Sequence, residues 1–179
     1  MSEHLTSWLA SLTRPILVVG NGVLSSPVPE QDYATVIRIN NYVLGGFSGS
    51  KVTHWVANGF RDINPRPVYP IFIPWTWPLA KKRDRFVEDF HARLGPVIYA
   101  ESDRHIQTCF PLAVKIGKRF PTTGFCLLAW LKEHQCKFDV SGFDGMRTGH
   151  QADAAHQHGH LSTREKERSI LQFWKLRRV

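Results

Sequence analysis

The sequence predicts an α/β protein with a mostly parallel sheet sandwiched by helices, and three observations predict it. Short β-branched runs such as PILVV and TVIRI are apolar without the polar alternation of a half-exposed strand, which marks strands buried on both faces. Segments with helical spacing separate several of those runs, the order that builds a parallel sheet. Glycine and asparagine cluster where the runs end, in the places where open α/β sheets bind ligands.

Taken in chain order, the N-terminal segment to about Leu12 reads as an amphipathic helix stopped by Pro15. PILVV (15–19) is a buried strand followed by a GNG turn, where glycine permits a sharp bend or the close approach of a ligand. TVIRIN (35–40) and KVTHWVAN (51–58) are two further strands, joined by the glycine-rich GGFSGS. VYPIFIP (68–74) is a fourth, and its prolines suggest an edge or the rim of the sheet. Leu79, Phe86, Phe90 and Leu94 recur at helical spacing before a capping Gly95, which predicts a helix over 79–94. PVIYA (96–100) is a strand, and 102–116 reads as helical despite Pro111. PTTG (121–124) opens the apolar helix FCLLAWLKEH, and KFDVSGF (137–143) is a strand running into a glycine-containing loop. A histidine-rich loop over 147–160 precedes a charged helix over 162–176.

Length and composition bound the function. The 179 residues fit a single domain over 1–179, large enough to bury a core without disulfide staples. At 42% hydrophobic and 21% charged, the composition is that of an ordinary soluble protein. No apolar run approaches the roughly 20 residues that span a bilayer, so no stable membrane insertion is expected. The N-terminus lacks a signal-peptide pattern, and the expected location is cytoplasmic. Cys109, Cys126 and Cys136 are odd in number and irregularly spaced, which argues against a disulfide framework or a zinc knuckle. The net charge of +8 suits an anionic nucleotide or acidic glycan. Basic residues interleaved with aromatics on one face are not evident, so no nucleic-acid partner is expected.

Four short stretches carry candidate chemistry. Gly20, Asn21 and Gly22 form a tight turn that can present backbone N–H groups to a phosphate, although the full dinucleotide fingerprint is absent. Arg38 stands in an otherwise apolar strand and therefore needs a carboxylate or carbonyl partner. Asn40 closes that strand, as a turn former or as an amide that reads a nucleotide. Asn58 and Gly142 likewise fall at strand ends. In PTTG, Thr122 or Thr123 caps a helix, or the hydroxyls and free helix N–H groups meet a carboxylate or phosphate. The fourth stretch, GHQADAAHQHGHLSTRE, holds His150, Asp153, His156, His158 and His160. A metal site is one reading. Ala154, Ala155 and Gly159 suit a loop, and no HExxH-like signature is present.

In their order these stretches resemble the sialyltransferase family. The family's long motif looks like VVGNG followed by VIRINN and GSKVTHWVAN, and its short motif is similar to PTTGFCLL running on to CKFDVSGFDG. Its third motif, a histidine followed by an acid, is matched by His150 and Asp153. Its last, His-x4-Glu, is matched by His160 and Glu165. The resemblance covers roughly residues 15–60 and 121–175. Ile16 stands where many members carry a cysteine, so Cys136 has no evident disulfide partner, and Gln151 and Ala152 replace the aromatics usual after the third-motif histidine.

The resemblance implies a Rossmann-like, GT-A-like fold and an inverting, metal-independent transfer of an acidic sugar, such as sialic acid or Kdo, from a CMP donor to a glycan hydroxyl. No cofactor is implied beyond the CMP-sugar itself. Asn21 and Asn40 would contact the nucleotide, and Thr122, Thr123 and Gly124 would hold the donor. His150 would stabilise the leaving phosphate. His160, with Glu165 in support, would be the general base, a role suited to an imidazole near neutral pH. Two alternatives stay open: a non-catalytic nucleotide-binding protein, and a metal-binding accessory protein using the histidine-rich loop.

Overall fold

A computed structural model describes residues 3–40, 42–56, 71–73, 97–99, 122–143 and 176–179. Within them lie two α-helices, α1 (Glu3–Ser11) and α2 (Thr123–Glu133). Six strands form one sheet: β1 (Ile16–Val19), β2 (Thr35–Ile39), β3 (His54–Val56), β4 (Ile71–Ile73), β5 (Val97–Tyr99) and β6 (Phe138–Ser141). Every pairing is parallel, in the order β5-β4-β3-β2-β1-β6. The chain steps outward from β1 to β5 and then returns to lay β6 on the other side of β1. The strand order therefore reverses between β1 and β6, the kind of position at which open α/β sheets form a ligand crevice.

The uniform apolarity of β1 is explained by two cores. Ile16 and Val18 join Ile37, Ile39, Val56 and Val140 beneath α1 and α2. Leu17 and Val19 turn the other way, to Val28, Tyr33 and Val36. The register sets Ile16 opposite both Thr35 and Phe138, and Val19 opposite both Arg38 and Ser141, so β2, β1 and β6 end within a residue of one another. On the helical side Trp8 of α1 packs on Trp130 of α2, with ring centroids 5.2 Å apart. Residues Phe125–Leu131 of α2 are buried without interruption, which is why FCLLAWL lacks the polar face of a surface helix.

The described cover of the second face is loop with two short 3-10 turns, Glu30–Asp32 and Gly46–Ser48, rather than α-helix, and the buried Arg38 holds it together. Arg38 pairs with Glu30 at 3.2 Å and donates to the Ser48 hydroxyl at 2.7 Å, the Ser48 carbonyl at 2.5 Å and the Lys51 carbonyl at 3.1 Å. The partner that sequence reasoning required is therefore present, as carboxylate and carbonyls together. Glu30 in turn accepts from the backbone N–H groups of Ser50 and Lys51, both at 2.8 Å. Burial by itself would raise the Glu30 pKa. Those two N–H groups and Arg38 outweigh it and hold the carboxyl below its ordinary value. Gly49, at φ 72°, is required here, because a Cβ would lie on the Glu30 carboxylate.

Several boundaries differ from the sequence reading. The third strand begins at His54 rather than at 51, and residues 57–58 of the expected run lie outside the described residues. Thr53 before it bonds Val36 through both its N–H and its hydroxyl, ending the β2–β3 loop. The fourth strand is not at the rim: β4 lies between β3 and β5. Pro70 and Pro74 flank the paired residues 71–73 in sequence and lie outside the described residues. Leu176 lies outside any helix. It begins a tail in which Arg178 bridges Val140 in parallel, beyond β6. The expected helices over 79–94 and 102–116, the rest of that over 162–176 and the histidine-rich loop lie outside the described residues.

Candidate functional site

The loops leaving β1, β2 and β6 and the first turn of α2 meet at the carboxyl ends of those three strands. Gly20 and Gly142 form the floor. The Gly20 N–H donates to the Ser141 carbonyl at 2.8 Å, and the Gly22 N–H to the Gly142 carbonyl at 3.0 Å. A Cβ on Gly20 would lie 2.5 Å from the Gly142 oxygen, and one on Gly142 would lie 2.6 Å from the Gly20 oxygen. Gly142 also has φ 67°, in the left-handed region. Both glycines are thus demanded by the approach of two backbones, a cause independent of any ligand.

Asn21 ties this floor to β2, its side-chain N–H donating to the Ile39 carbonyl at 2.9 Å. An amide has a second N–H and a carbonyl oxygen, so Asn21 can perform this task and still offer groups to a nucleotide. Asn40 has φ 50°, a conformation that asparagine tolerates better than most residues. Its backbone N–H donates to the Val56 carbonyl and its carbonyl accepts from the Trp55 indole, both at 2.7 Å. Tyr42 then braces Trp55 edge-on at 5.9 Å. The turn-forming role of Asn40 is therefore real.

Thr122 is the N-cap of α2, its hydroxyl accepting from the Phe125 N–H at 3.3 Å. Thr123 begins the helix, half-buried. Gly124 leaves no room for a side chain: a Cβ would stand 3.0 Å from the Phe143 ring and 3.4 Å from Ile39. Phe143 also comes within 3.0 Å of a Cβ built on Gly20. One aromatic ring thus joins the β1 turn, the end of β6 and the start of α2. Sequence reasoning missed Phe143, although its place directly after Gly142 was the available signal.

Gly20, Asn21, Gly22, Asn40, Gly124 and Gly142, with the Thr122 cap, are accordingly brought to one end of the sheet. Asn58, His150, His160 and Glu165 lie outside the described residues. None of the described residues named at the crevice is titratable, so proton transfer there would have to come from elsewhere in the chain. His54, buried on β3, is not a candidate. It starts its strand, away from the carboxyl ends, and burial lowers its pKa to about 4, too weak a base for work near neutrality. Cys126 and Cys136 are both free thiols, and Ile16 sits in the core of β1.

No protein-family model and no curated protein sequence matches this chain. Solved structures do. The crystal structure of a mammalian sialyltransferase in complex with Gal-beta-1-3GalNAc-ortho-nitrophenol aligns with a TM-score of 0.62 at 17% identity, over 100% of this chain and 73% of that one. A second crystal structure of a mammalian sialyltransferase aligns at 0.59 and 18% identity, with the same coverage. The class defined by the parallel sheet and its strand order is thus a Rossmann-like α/β fold. More particularly, it is the fold of the sialyltransferases, as the sequence motifs implied.

Proposed function

We propose that this chain is a glycosyltransferase of the sialyltransferase type, moving an acidic sugar such as sialic acid or Kdo from a CMP donor to a glycan hydroxyl. The observation that carries the reading is the meeting of the β1 turn, the end of β2, the end of β6 and the α2 N-terminus at the β1/β6 reversal, on a fold shared with sialyltransferases. These are the long-motif and short-motif stretches, widely separated in sequence and adjacent in space. The Asn21 amide would contact the nucleotide, and the N–H groups opening α2, with Thr123, would hold the anionic part of the donor. The glycan in the complexed neighbour supports a glycan acceptor here.

His160 and His150 complete the mechanism as family-implied roles. His160 would take the proton from the acceptor hydroxyl as its oxygen attacks the anomeric carbon. His150 would stabilise the phosphate of the departing CMP, making metal unnecessary. The residues 144–175 that carry both histidines follow Phe143, which lies against Gly20 and Gly124, and precede Leu176, packed in the helical core. Transfer and hydrolysis of CMP-sialic acid and CMP-Kdo, compared between wild type and His160→Ala, test the reading. A fall of about 10²–10⁴-fold in kcat is expected for loss of a general base, with activity unchanged by EDTA. Equal turnover in the two proteins would remove His160 from the reaction, and loss of turnover in EDTA would overturn the metal-free mechanism.

A further inference from the structure

In the loop joining β2 to β3, Tyr42 and Val52 are buried, but the tip between them carries apolar side chains outward and turns Ser48 inward. Val43, Leu44 and Phe47 are 37%, 38% and 53% exposed, while Ser48 beside them is buried on Arg38. The loop is closed on itself: Gly45 N–H donates to the Gly49 carbonyl at 2.8 Å, and the Ser48 hydroxyl to the Val43 carbonyl at 2.7 Å. Its far end is clamped by Glu30 through the N–H groups of Ser50 and Lys51. A buried ion pair and the left-handed Gly45, Gly46 and Gly49 thus hold a fixed tip whose outer side chains are apolar. Phe47 is also tied to the neighbouring loop, its carbonyl accepting from the Val28 N–H at 2.8 Å. Val23, on that same loop, is 54% exposed.

Charge selects what such a tip would meet. The chain has no Asp or Glu between Asp32 and Asp62 and carries a net charge of +8. The nearby Glu30 is buried and paired with Arg38, so it presents no free anion. Docking two copies through this loop would bring two strongly cationic chains together, an arrangement that electrostatics opposes. An anionic lipid surface satisfies both features, since it accepts apolar side chains at headgroup depth and attracts positive charge. Such docking is shallow and needs no spanning helix. No described helix is long and apolar enough to cross a membrane.

We propose that the 43–47 loop docks this protein on anionic bilayers, with Leu44 and Phe47 entering the headgroup layer. The proposal rests on the side chains of the loop tip and stands independently of the transferase reading. The test is co-sedimentation of the full chain with phosphatidylcholine vesicles and with equimolar phosphatidylcholine–phosphatidylglycerol vesicles, for wild type, Phe47→Ser and Leu44→Ser/Phe47→Ser. Wild type is expected to pellet with the mixed vesicles. Removing the buried area of one phenylalanine weakens partitioning by about tenfold or more, and the double substitution weakens it further. These positions are exposed, so the variants are expected to retain wild-type thermal unfolding, checked in parallel. Equal pelleting of wild type and variants would show attraction by charge alone and overturn the proposal, as would no pelleting of wild type. Sedimentation velocity distinguishes the other occupant: a wild-type dimer dissociated by Phe47→Ser would reassign the loop to self-association.

Discussion

Replacing Gly142 by alanine tests whether the crevice floor is built as described. Two costs combine at this position. A side chain at φ 67° is disfavoured by about 1–2 kcal/mol. The new methyl would also stand 2.6 Å from the Gly20 carbonyl oxygen and 3.1 Å from its carbon. That obstacle is backbone, and Gly20 is itself bonded to Ser141, so relief requires β1 and β6 to part. Overpacking of this kind typically costs a further 1–3 kcal/mol, roughly. Gly142→Ala should therefore lose about 3 kcal/mol in urea denaturation, with an unchanged m-value. Gly20→Ala, which has the overlap without the left-handed φ, should lose somewhat less. Wild-type stability in both variants would refute the interlocked floor and return the glycines to a ligand role alone.

Arg38→Leu would leave the buried Glu30 without its countercharge and the Ser48 and Lys51 carbonyls without a donor; breaking such pairs costs about 3–5 kcal/mol, measured by chemical denaturation. His54 gives a pH signature. Its folded pKa of about 4 lies below the ordinary 6.5, so between those values the unfolded chain binds more protons. Stability from this group is full above about pH 6.5, falls as pH drops toward 4, and amounts to about 3 kcal/mol at most. The His54→Gln variant should lack that limb of the stability profile; an unaltered profile would show that His54 does not titrate differently in the two states. Thr122→Ala should cost about 1 kcal/mol through loss of the cap, and Thr122→Ser should recover most of it in thermal melts.

The fold was legible wherever its signals are local. The β1 run, the Pro15 stop, the Thr122 cap and the turn after β6 each depend on a few adjacent residues and lie where the sequence puts them. Arg38 could be recognised as a buried charge needing a partner, because five residues of context suffice for that. Its partner could not be named, since Glu30 reaches it only through the fold of two loops over the second sheet face. The same limit hid the Gly20–Gly142 approach and the part played by Phe143, which exist only because β6 pairs with β1. Prolines beside β4 pointed to the rim for a related reason: whether a missing N–H matters depends on which residues pair, and pairing is set by strand order.

Uninterrupted burial along Phe125–Leu131 has a mechanical consequence. A helix gripped around its whole circumference can neither roll nor slide without displacing side chains on every side, Trp8 and Val140 among them. Its capped end is a fixed post at the crevice, already in place before a ligand arrives. Any rearrangement that accompanies binding must then be supplied by other parts of the chain.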